Sequence, residues 1–225
     1  MNKTYSLSNF MKKKIVILGR SKKFIGIIQK IYKNHEIQIF SWRQVNHIKK
    51  YSSLKNLNII FICGYDYNSQ WYKYDKFYKA NITLPYKLIS YISNANTRLF
   101  YIDTIENLKS NMKSKNYTLS RYEFAKKMLR YKLIKNFKFI QIIELPPVMN
   151  KNKEVDIFGG KLTKIIFKFL IINKIINFIQ LKEIKKKFYI NENLKKRYKA
   201  VKPKQIMLKI PRPLFLDRFL RMISN

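Results

Sequence analysis

The stretch Lys14-Ile-Val-Ile-Leu-Gly19-Arg-Ser-Lys-Lys-Phe-Ile-Gly26 decides the fold of this 225-residue chain. Its apolar run predicts a buried strand over Lys14–Leu18, and a glycine follows directly. Residues Phe24–Tyr32 have the apolar spacing of a helix, and Glu36–Phe40 returns to a strand pattern. A strand, a helix and a strand in this order predict a βαβ unit, in which both strands lie parallel in one sheet.

Strands and helices continue to alternate up to about residue 150. The pattern predicts strands at Asn58–Cys63, Arg98–Ile102 and Phe139–Leu145, and helices at Lys76–Ser93 and Tyr117–Asn136. Each crossover between parallel strands has the same hand. We therefore predict an α/β fold, a doubly wound parallel sheet with helices on both faces.

The alternation stops beyond Val148, and we divide the chain there. Residues 1–12 are expected to be a loose tail, 13–150 the main domain, and 151–225 a small, mostly helical part. Gly159-Gly160 leads into an Ile- and Lys-rich stretch, 162–187, that predicts one long helix. Lysines interrupt its apolar run, so we expect no transmembrane span. The apolar face of this predicted helix can either pack against the main domain or lie on a membrane surface.

Composition limits the classes of function. Hydrophobic residues make up 47% of the chain, as in folded proteins. The net charge of +36 comes mostly from Lys, and the chain is rich in residues that AT-rich codons encode. Genome composition therefore accounts for the charge, and we do not expect nucleic acid as a partner. A basic polyanion-binding protein is the third hypothesis. One cysteine and two histidines exclude an internal disulfide and argue against a metal site. The first eleven residues carry no secretory pattern, so we expect a cytoplasmic protein.

The turn after the first strand resembles a known family. Gly19 matches the start, and Phe24, Ile25 and Gly26 the end, of the Gly-x-x-Gly-Phe-Ile-Gly turn of extended short-chain dehydrogenases/reductases, the NAD-dependent epimerase/dehydratase family. Lys23 stands where the middle glycine belongs, and the turn is one residue longer. The resemblance implies a Rossmann-type domain over 13–150 with a cofactor pyrophosphate at the helix N-terminus. The cofactor-binding residues that it implies are Gly19, Ser21, Lys23, Phe24, Ile25, Gly26 and Arg43.

The end of the second strand bears on the choice of cofactor. Ser41-Trp42-Arg43 stands where an NAD enzyme presents an acidic residue to the ribose hydroxyls. Arg43 can instead pair with a 2′-phosphate, so we expect NADP or NAD with a slight preference for NADP. The chain to the next strand is short, and the unit that helps to enclose the adenine in the family is trimmed.

The same resemblance implies catalytic residues. Leu99-Phe-Tyr-Ile-Asp-Thr104 resembles the strand that delivers a Ser/Thr, and Asn116-Tyr-Thr-Leu-Ser-Arg121 resembles the Tyr-x-x-Ser-Lys helix start. The implied set is Thr104, Tyr117 and Arg121, with the tyrosine as acid/base beside a positive charge. A literal Tyr-x-x-x-Lys at Tyr122 and Lys126 points about 140° around the helix from Tyr117. We prefer Tyr117, and the second pair stays the alternative.

These resemblances imply the leading hypothesis for the function. It is an NAD(P)-dependent reductase, epimerase or dehydratase that acts on a nucleotide-linked sugar in surface polysaccharide synthesis, with a homodimer as one expected assembly. The second hypothesis is a catalytically degenerate relative that binds a nucleotide or a protein. The missing glycine, the arginine in place of lysine and the trimmed adenine region favour this second hypothesis.

Overall fold

The structure is a computed structural model. It describes the residues numbered 12–19, 22–46, 54, 57–103, 121–145, 148–149, 155–156, 165, 168–169, 171–173, 179–180, 186–189 and 200.

A sheet of five parallel strands forms the centre of the molecule. The strands are β1 (Lys14–Leu18), β2 (Glu36–Phe40), β3 (Ile59–Ile62), β4 (Arg98–Asp103) and β5 (Ile140–Glu144), in the order β2-β1-β3-β4-β5. β3 is buried along its whole length and β1 after its first residue, as expected of central strands covered on both faces.

Helices cover both faces of this sheet. They are α1 (Lys22–Ile31), α2 (Tyr74–Tyr78), α3 (Leu84–Ile92) and α4 (Arg121–Asn136). Ile28 of α1 packs in a cluster with Ile17, whereas Leu88 of α3 and Leu129 of α4 pack in another cluster with Val16. Since successive side chains of a strand point to opposite faces, α1 lies on one face and α3 and α4 on the other. The predicted doubly wound α/β fold is confirmed.

The helix predicted over Lys76–Ser93 contains an irregularity in its middle. Lys79–Thr83 is a π-helical turn that joins α2 to α3. Buried Asn81 lies in this turn, and its side-chain amide donates a hydrogen bond of 3.3 Å to the carbonyl of Phe77. Such turns interrupt helices at functional sites more often than elsewhere.

The predicted helix over 162–187 is wrong in part. Strand β8 (Ile179–Gln180) runs parallel to β6 (Val148–Met149), which also pairs antiparallel with β7 (Val155–Asp156). Isoleucine is β-branched and favours a strand where a partner strand is present, and here that pairing overrides the helical spacing. Within the described part of 162–187, helical residues occur at 165, 168–169, 171–172 and 186–187.

The part of the chain beyond residue 150 contributes to the main core. Phe188 is fully buried, with its ring 5.9 Å from the rings of both Phe24 and Phe61. The hydroxyl of Tyr32 donates a 2.8 Å hydrogen bond to the Phe188 carbonyl. This segment therefore completes the sheet face that α1 covers.

A short apolar stripe lies on the surface of the same part. Ile165, Phe169 and Ile172 are 64%, 61% and 67% exposed, and Lys168 between them is exposed as well. The described helices include none with the length and apolar character that crossing a membrane requires.

Gly19 joins the ends of three strands. Its N–H donates a 2.8 Å hydrogen bond to the carbonyl of Phe40 at the end of β2. Its φ is +137°, and a Cβ there would lie 2.8 Å from the carbonyl carbon of Cys63 and 2.9 Å from its sulfur. A residue with a side chain therefore cannot adopt this turn without moving the chain that follows β3.

Two glycine substitutions have opposite expected effects on stability. Gly19→Ala should lower the free energy of unfolding by about 2 kcal/mol or more, because it strains the backbone and clashes with Cys63. Gly26→Ala is the matched control: nothing lies within 4 Å of its Cβ position, which is in α1. It should raise the free energy by about 0.5–1 kcal/mol. Urea unfolding measures both, and equal effects would contradict the assigned turn.

Candidate functional site

The candidate site lies at the carboxyl edge of the central sheet. In doubly wound sheets, ligands bind outside this edge where the connections turn in opposite directions. Here β1 is connected through α1 to β2, which lies on one side of β1 in the sheet. β3 lies on the other side of β1 and is followed by β4, farther out on that side. Gly19 follows β1 and Cys63-Gly64 follows β3, so these residues border the switch point.

The predicted cofactor-binding residues of the turn and helix lie as follows. Ser21 and the side chain of Lys23 are outside the described residues. Phe24 and Ile25 are half-buried and pack against the α1-side core. Gly26 faces open space, so a group can approach the helix backbone there. α1 begins three residues after Gly19, and the first N–H groups of a helix have no partner within it.

Trp42 covers the part of the edge next to Gly64. A Cβ on Gly64 would lie 2.0 Å from Cε3 of the Trp42 indole, so the ring rests directly on the glycine backbone. The indole N–H donates a 3.3 Å hydrogen bond to Oδ1 of Asn81, and Trp42 is 6% exposed. The ring thus reaches from the end of β2 to the segment after β3.

A buried polar network holds that segment in place. Oδ1 of Asn81 accepts a 2.8 Å hydrogen bond from the N–H of Asp66, and its amide nitrogen donates a 2.6 Å bond to the Ser69 hydroxyl. The carboxylate of Asp66 in turn accepts from the N–H of Asn68 at 3.2 Å. Since a buried amide is costly unless its partners are present, the network fixes the π-helical turn against residues 65–69.

Arg43 lies beside this network. Its Nε is 3.4 Å from Oδ1 of Asp66, and the arginine side chain is 63% exposed. An ion pair in this setting is weak because water screens it. The pairing with a 2′-phosphate and the preference for NADP stay predictions.

Lys126 lies buried at the carboxyl edge. It is 5% exposed, and its ammonium donates a 2.7 Å hydrogen bond to the carbonyl of Ile102 near the end of β4. The ammonium also lies 4.7 Å from the centre of the Tyr101 ring. The Tyr101 hydroxyl donates back to the Lys126 carbonyl at 2.7 Å. These contacts hold the lysine stem rigidly.

Tyr122 lies one turn before Lys126 on the same face of α4. Its ring is half-buried and meets Tyr65 edge-on, with 4.7 Å between ring centres. Burial raises the pKa of Tyr65 to about 12, and Tyr122 adds to the rise while a hydrogen bond with Ser69 opposes it. Burial also raises the pKa of Tyr101. Tyr65 and Tyr101 therefore stay protonated at neutral pH.

Arg121 contacts a different part of the molecule. Its guanidinium donates to the carbonyls of Ser69, at 3.4 Å, and of Tyr72, and lies 5.2 Å from the centre of the Phe77 ring. These bonds attach the first turn of α4 to the loop before α2. Thr104 and Tyr117, the other two predicted catalytic residues, lie outside the described residues.

The end of β4 carries a buried carboxylate. Asp103 is 1% exposed, and its carboxylate pairs with Nη1 of Arg130 at 3.2 Å. The same Nη1 also pairs with the carboxylate of Glu144 on β5 at 3.2 Å. Asp103 and Glu144 are neighbours in the sheet, and the arginine offsets the repulsion between them. Groups of three or more metal-binding side chains are absent from the described residues.

Sequence reasoning gave no role to Trp42 or Asn81 and did not prefer Lys126. A tryptophan at a strand end and an asparagine inside a helix have no local signature for a shared contact. One signal was available for Asn81, because a polar residue in an apolar helix face has to find a buried partner. For Lys126, the literal Tyr-x-x-x-Lys spacing was itself the signal.

The thiol of Cys63 should react slowly in the native protein. Burial raises its pKa to about 12, although nearby Lys126 lowers it. At pH 8 the thiolate should be roughly a thousandfold rarer than in the unfolded chain, so labelling by an aromatic disulfide should slow by about that factor. The chain has one cysteine, so the signal has one source.

The raised pKa also predicts how stability varies with pH. The neutral thiol stabilises the native state fully below about pH 9, and this contribution is lost as the pH rises toward 12. Native labelling as fast as labelling in urea would contradict the raised pKa of the Cys63 thiol.

Comparison with known proteins is informative at the level of structure. Neither a family model nor a curated protein matches the sequence. A dTDP-4-dehydrorhamnose reductase from Bacillus anthracis, solved in complex with NADP, is 13% identical with a TM-score of 0.52. The match covers 79% of this chain and 70% of the reductase.

Two further solved structures match less closely. The Bordetella bronchiseptica enzyme WbmH, in complex with NAD+, is 13% identical with a TM-score of 0.49, over 78% of this chain and 70% of that one. A hypothetical dTDP-4-dehydrorhamnose reductase from Sulfolobus tokodaii is 13% identical with a TM-score of 0.45, over 88% and 89%. The match to the reductase from Bacillus anthracis shows that the chain has the same Rossmann-type α/β fold, and the predicted resemblance is confirmed at the level of the fold.

Proposed function

We propose that this protein is a divergent extended short-chain dehydrogenase/reductase, which reduces or epimerises a nucleotide-linked sugar with NADP or NAD. The shared fold with an NADP-bound sugar-nucleotide reductase supports this proposal. A place in surface polysaccharide synthesis is part of it, because nucleotide-linked sugars are the donors for such polymers.

The observation that carries the proposal is the position of Lys126. A buried ammonium is costly unless it is bonded, and an ammonium has three N–H donors. Within the described part of the chain, the carbonyl of Ile102 accepts one of these bonds. The remaining donors suit the hydroxyl groups of a ribose or a sugar at the carboxyl edge.

The residues near the switch point fit one half of a nicotinamide dinucleotide. The tight turn at Gly19 and the open space at Gly26 suit the approach of a pyrophosphate to the backbone of α1. When bound, the nicotinamide would exchange a hydride with the substrate. The adenosine half fits less well, because the Trp42 indole rests on Gly64.

In this proposal the pair on α4 is Tyr122 and Lys126. The phenol of Tyr122 gives a proton to, or takes one from, the sugar oxygen. The Lys126 ammonium, four residues on along the same helix face, holds a hydroxyl of the cofactor ribose. Arg121 is bonded to backbone carbonyls of the loop before α2, so its role here is to position that loop.

Substitution of the two tyrosines distinguishes the two candidate pairs. Tyr122→Phe should lower kcat by about 10²–10⁴-fold in turnover of a nucleotide-sugar substrate found by screening, with unchanged NADH affinity. Tyr117→Phe is the matched variant and should keep most of the activity. Reduced-nicotinamide fluorescence measures the affinity. The reverse pattern would assign catalysis to Tyr117 and Arg121, and full activity of both variants would contradict proton transfer by either.

Contact with a membrane surface is a second candidate property. It is favoured by the exposed apolar stripe of Ile165, Phe169 and Ile172 together with the strong positive charge of the chain. Apolar side chains inserted among anionic lipids combine burial with electrostatic attraction.

Vesicle binding tests this second property. The protein should sediment with vesicles that contain anionic lipid, and Phe169→Glu should weaken binding about tenfold or more through lost burial and added repulsion. Tyr91→Glu is the control, since Tyr91 is exposed elsewhere, at the end of α3. An equal loss for both variants would leave nonspecific charge as the cause and contradict a role for the stripe.

A further inference from the structure

We infer that the indole of Trp42 fills the slot for the adenine, so that the site holds the mononucleotide half of its cofactor and leaves the adenosine half without a pocket. This inference rests on the proposed function, because it takes a nicotinamide nucleotide as the ligand. It concerns which part of that ligand the protein binds.

The first argument is the place of the indole. Trp42 follows β2, and its ring lies against Gly64, which follows β3. β1 lies between these two strands, so the side chain spans the edge next to the switch point. A dinucleotide in a doubly wound sheet extends from the end of the first strand toward the end of the second, with its ribose at that second strand. The indole lies in this path.

The second argument is shape and chemistry. An indole is a fused bicycle of nine ring atoms, as is a purine. A Cβ at Gly64 would lie 2.0 Å from the ring, so only a glycine leaves room for the indole there. Oδ1 of Asn81 accepts a hydrogen bond from the indole N–H at 3.3 Å. A flat glycine surface and an amide at the ring edge are features that would also suit an adenine. With 6% of Trp42 exposed, the slot is already filled.

The third argument concerns the ribose. Residues 41–46 after β2 read Ser-Trp-Arg-Gln-Val-Asn and include no carboxylate for a ribose diol. The N–H of Ser41 donates to the Gln44 side chain at 2.8 Å, and Arg43 pairs with Asp66. The Ser41 N–H is thus engaged within the protein, and residues 41–46 offer no acidic side chain to a ribose diol.

The strand order agrees with a shorter ligand. Among the strands that the structure describes, β2 is at the edge of the five-stranded sheet, in the order β2-β1-β3-β4-β5. Dinucleotide-binding sheets carry a further strand beyond the second, whereas this order is that of doubly wound proteins that bind a mononucleotide at the switch point.

The experiment compares two ligands on the full-length protein. Reduced nicotinamide mononucleotide and NADH are titrated separately, with nicotinamide fluorescence as the signal. We expect dissociation constants within about threefold of each other, since the adenosine half adds no contact. Binding of NADH about tenfold or more tighter than the mononucleotide would overturn the inference and leave the proposed function intact. Binding of neither would overturn the proposed function, and the inference with it.

Two variants sharpen the comparison. Trp42→Ala should open the slot and tighten NADH about tenfold or more, with the mononucleotide unchanged. Trp71→Ala removes the other tryptophan of the chain, which lies in the loop before α2, and should leave the ratio of the two constants as it is. An unchanged ratio in folded Trp42→Ala would overturn the inference. If Trp42→Ala does not fold, the wild-type ratio still decides.

Discussion

The contact between the backbone of Gly19 and the chain after β3 brings the ends of three strands together. Gly19 bonds to Phe40 at the end of β2 and lies against Cys63 at the end of β3, with a φ of +137° that only glycine adopts easily. Because the three strand ends are in contact, the connections that follow β1, β2 and β3 all begin at the same part of the carboxyl edge. The groups after β2 and β3 therefore come within reach of each other.

A second glycine, Gly64, determines which side chain covers this part of the carboxyl edge. Gly64 has no side chain, and the Trp42 ring occupies the space where one would be. The indole then needs a partner for its N–H, which Asn81 supplies from the π-helical turn. Asn81 also bonds to Asp66 and Ser69, so the covering of the edge, the irregular helix and the loop before α2 form one connected unit.

Local pattern was sufficient for β1 and β2, whose observed bounds are the predicted ones, because apolar runs between glycine and polar residues have few alternatives. It failed at Ile179–Gln180, where pairing with β6 outweighs helical spacing. The site was harder to predict. Motif spacing identified Gly19 and offered both tyrosine pairs. No local pattern shows that Trp42 reaches Gly64, because that contact joins the connections that follow two different strands.

Arg121 and Lys126, the basic members of the two candidate pairs, lie on different stripes of α4, and their packing differs. Lys126 and its neighbours on the same stripe face the sheet, where the carbonyl of Ile102 and the ring of Tyr101 offset the cost of burying a charge. Arg121 lies on another stripe and bonds to the loop that the Asn81 network holds. An arginine suits that position because its planar group can donate to two carbonyls at once. The compact ammonium of Lys126 instead bonds to the carbonyl of Ile102.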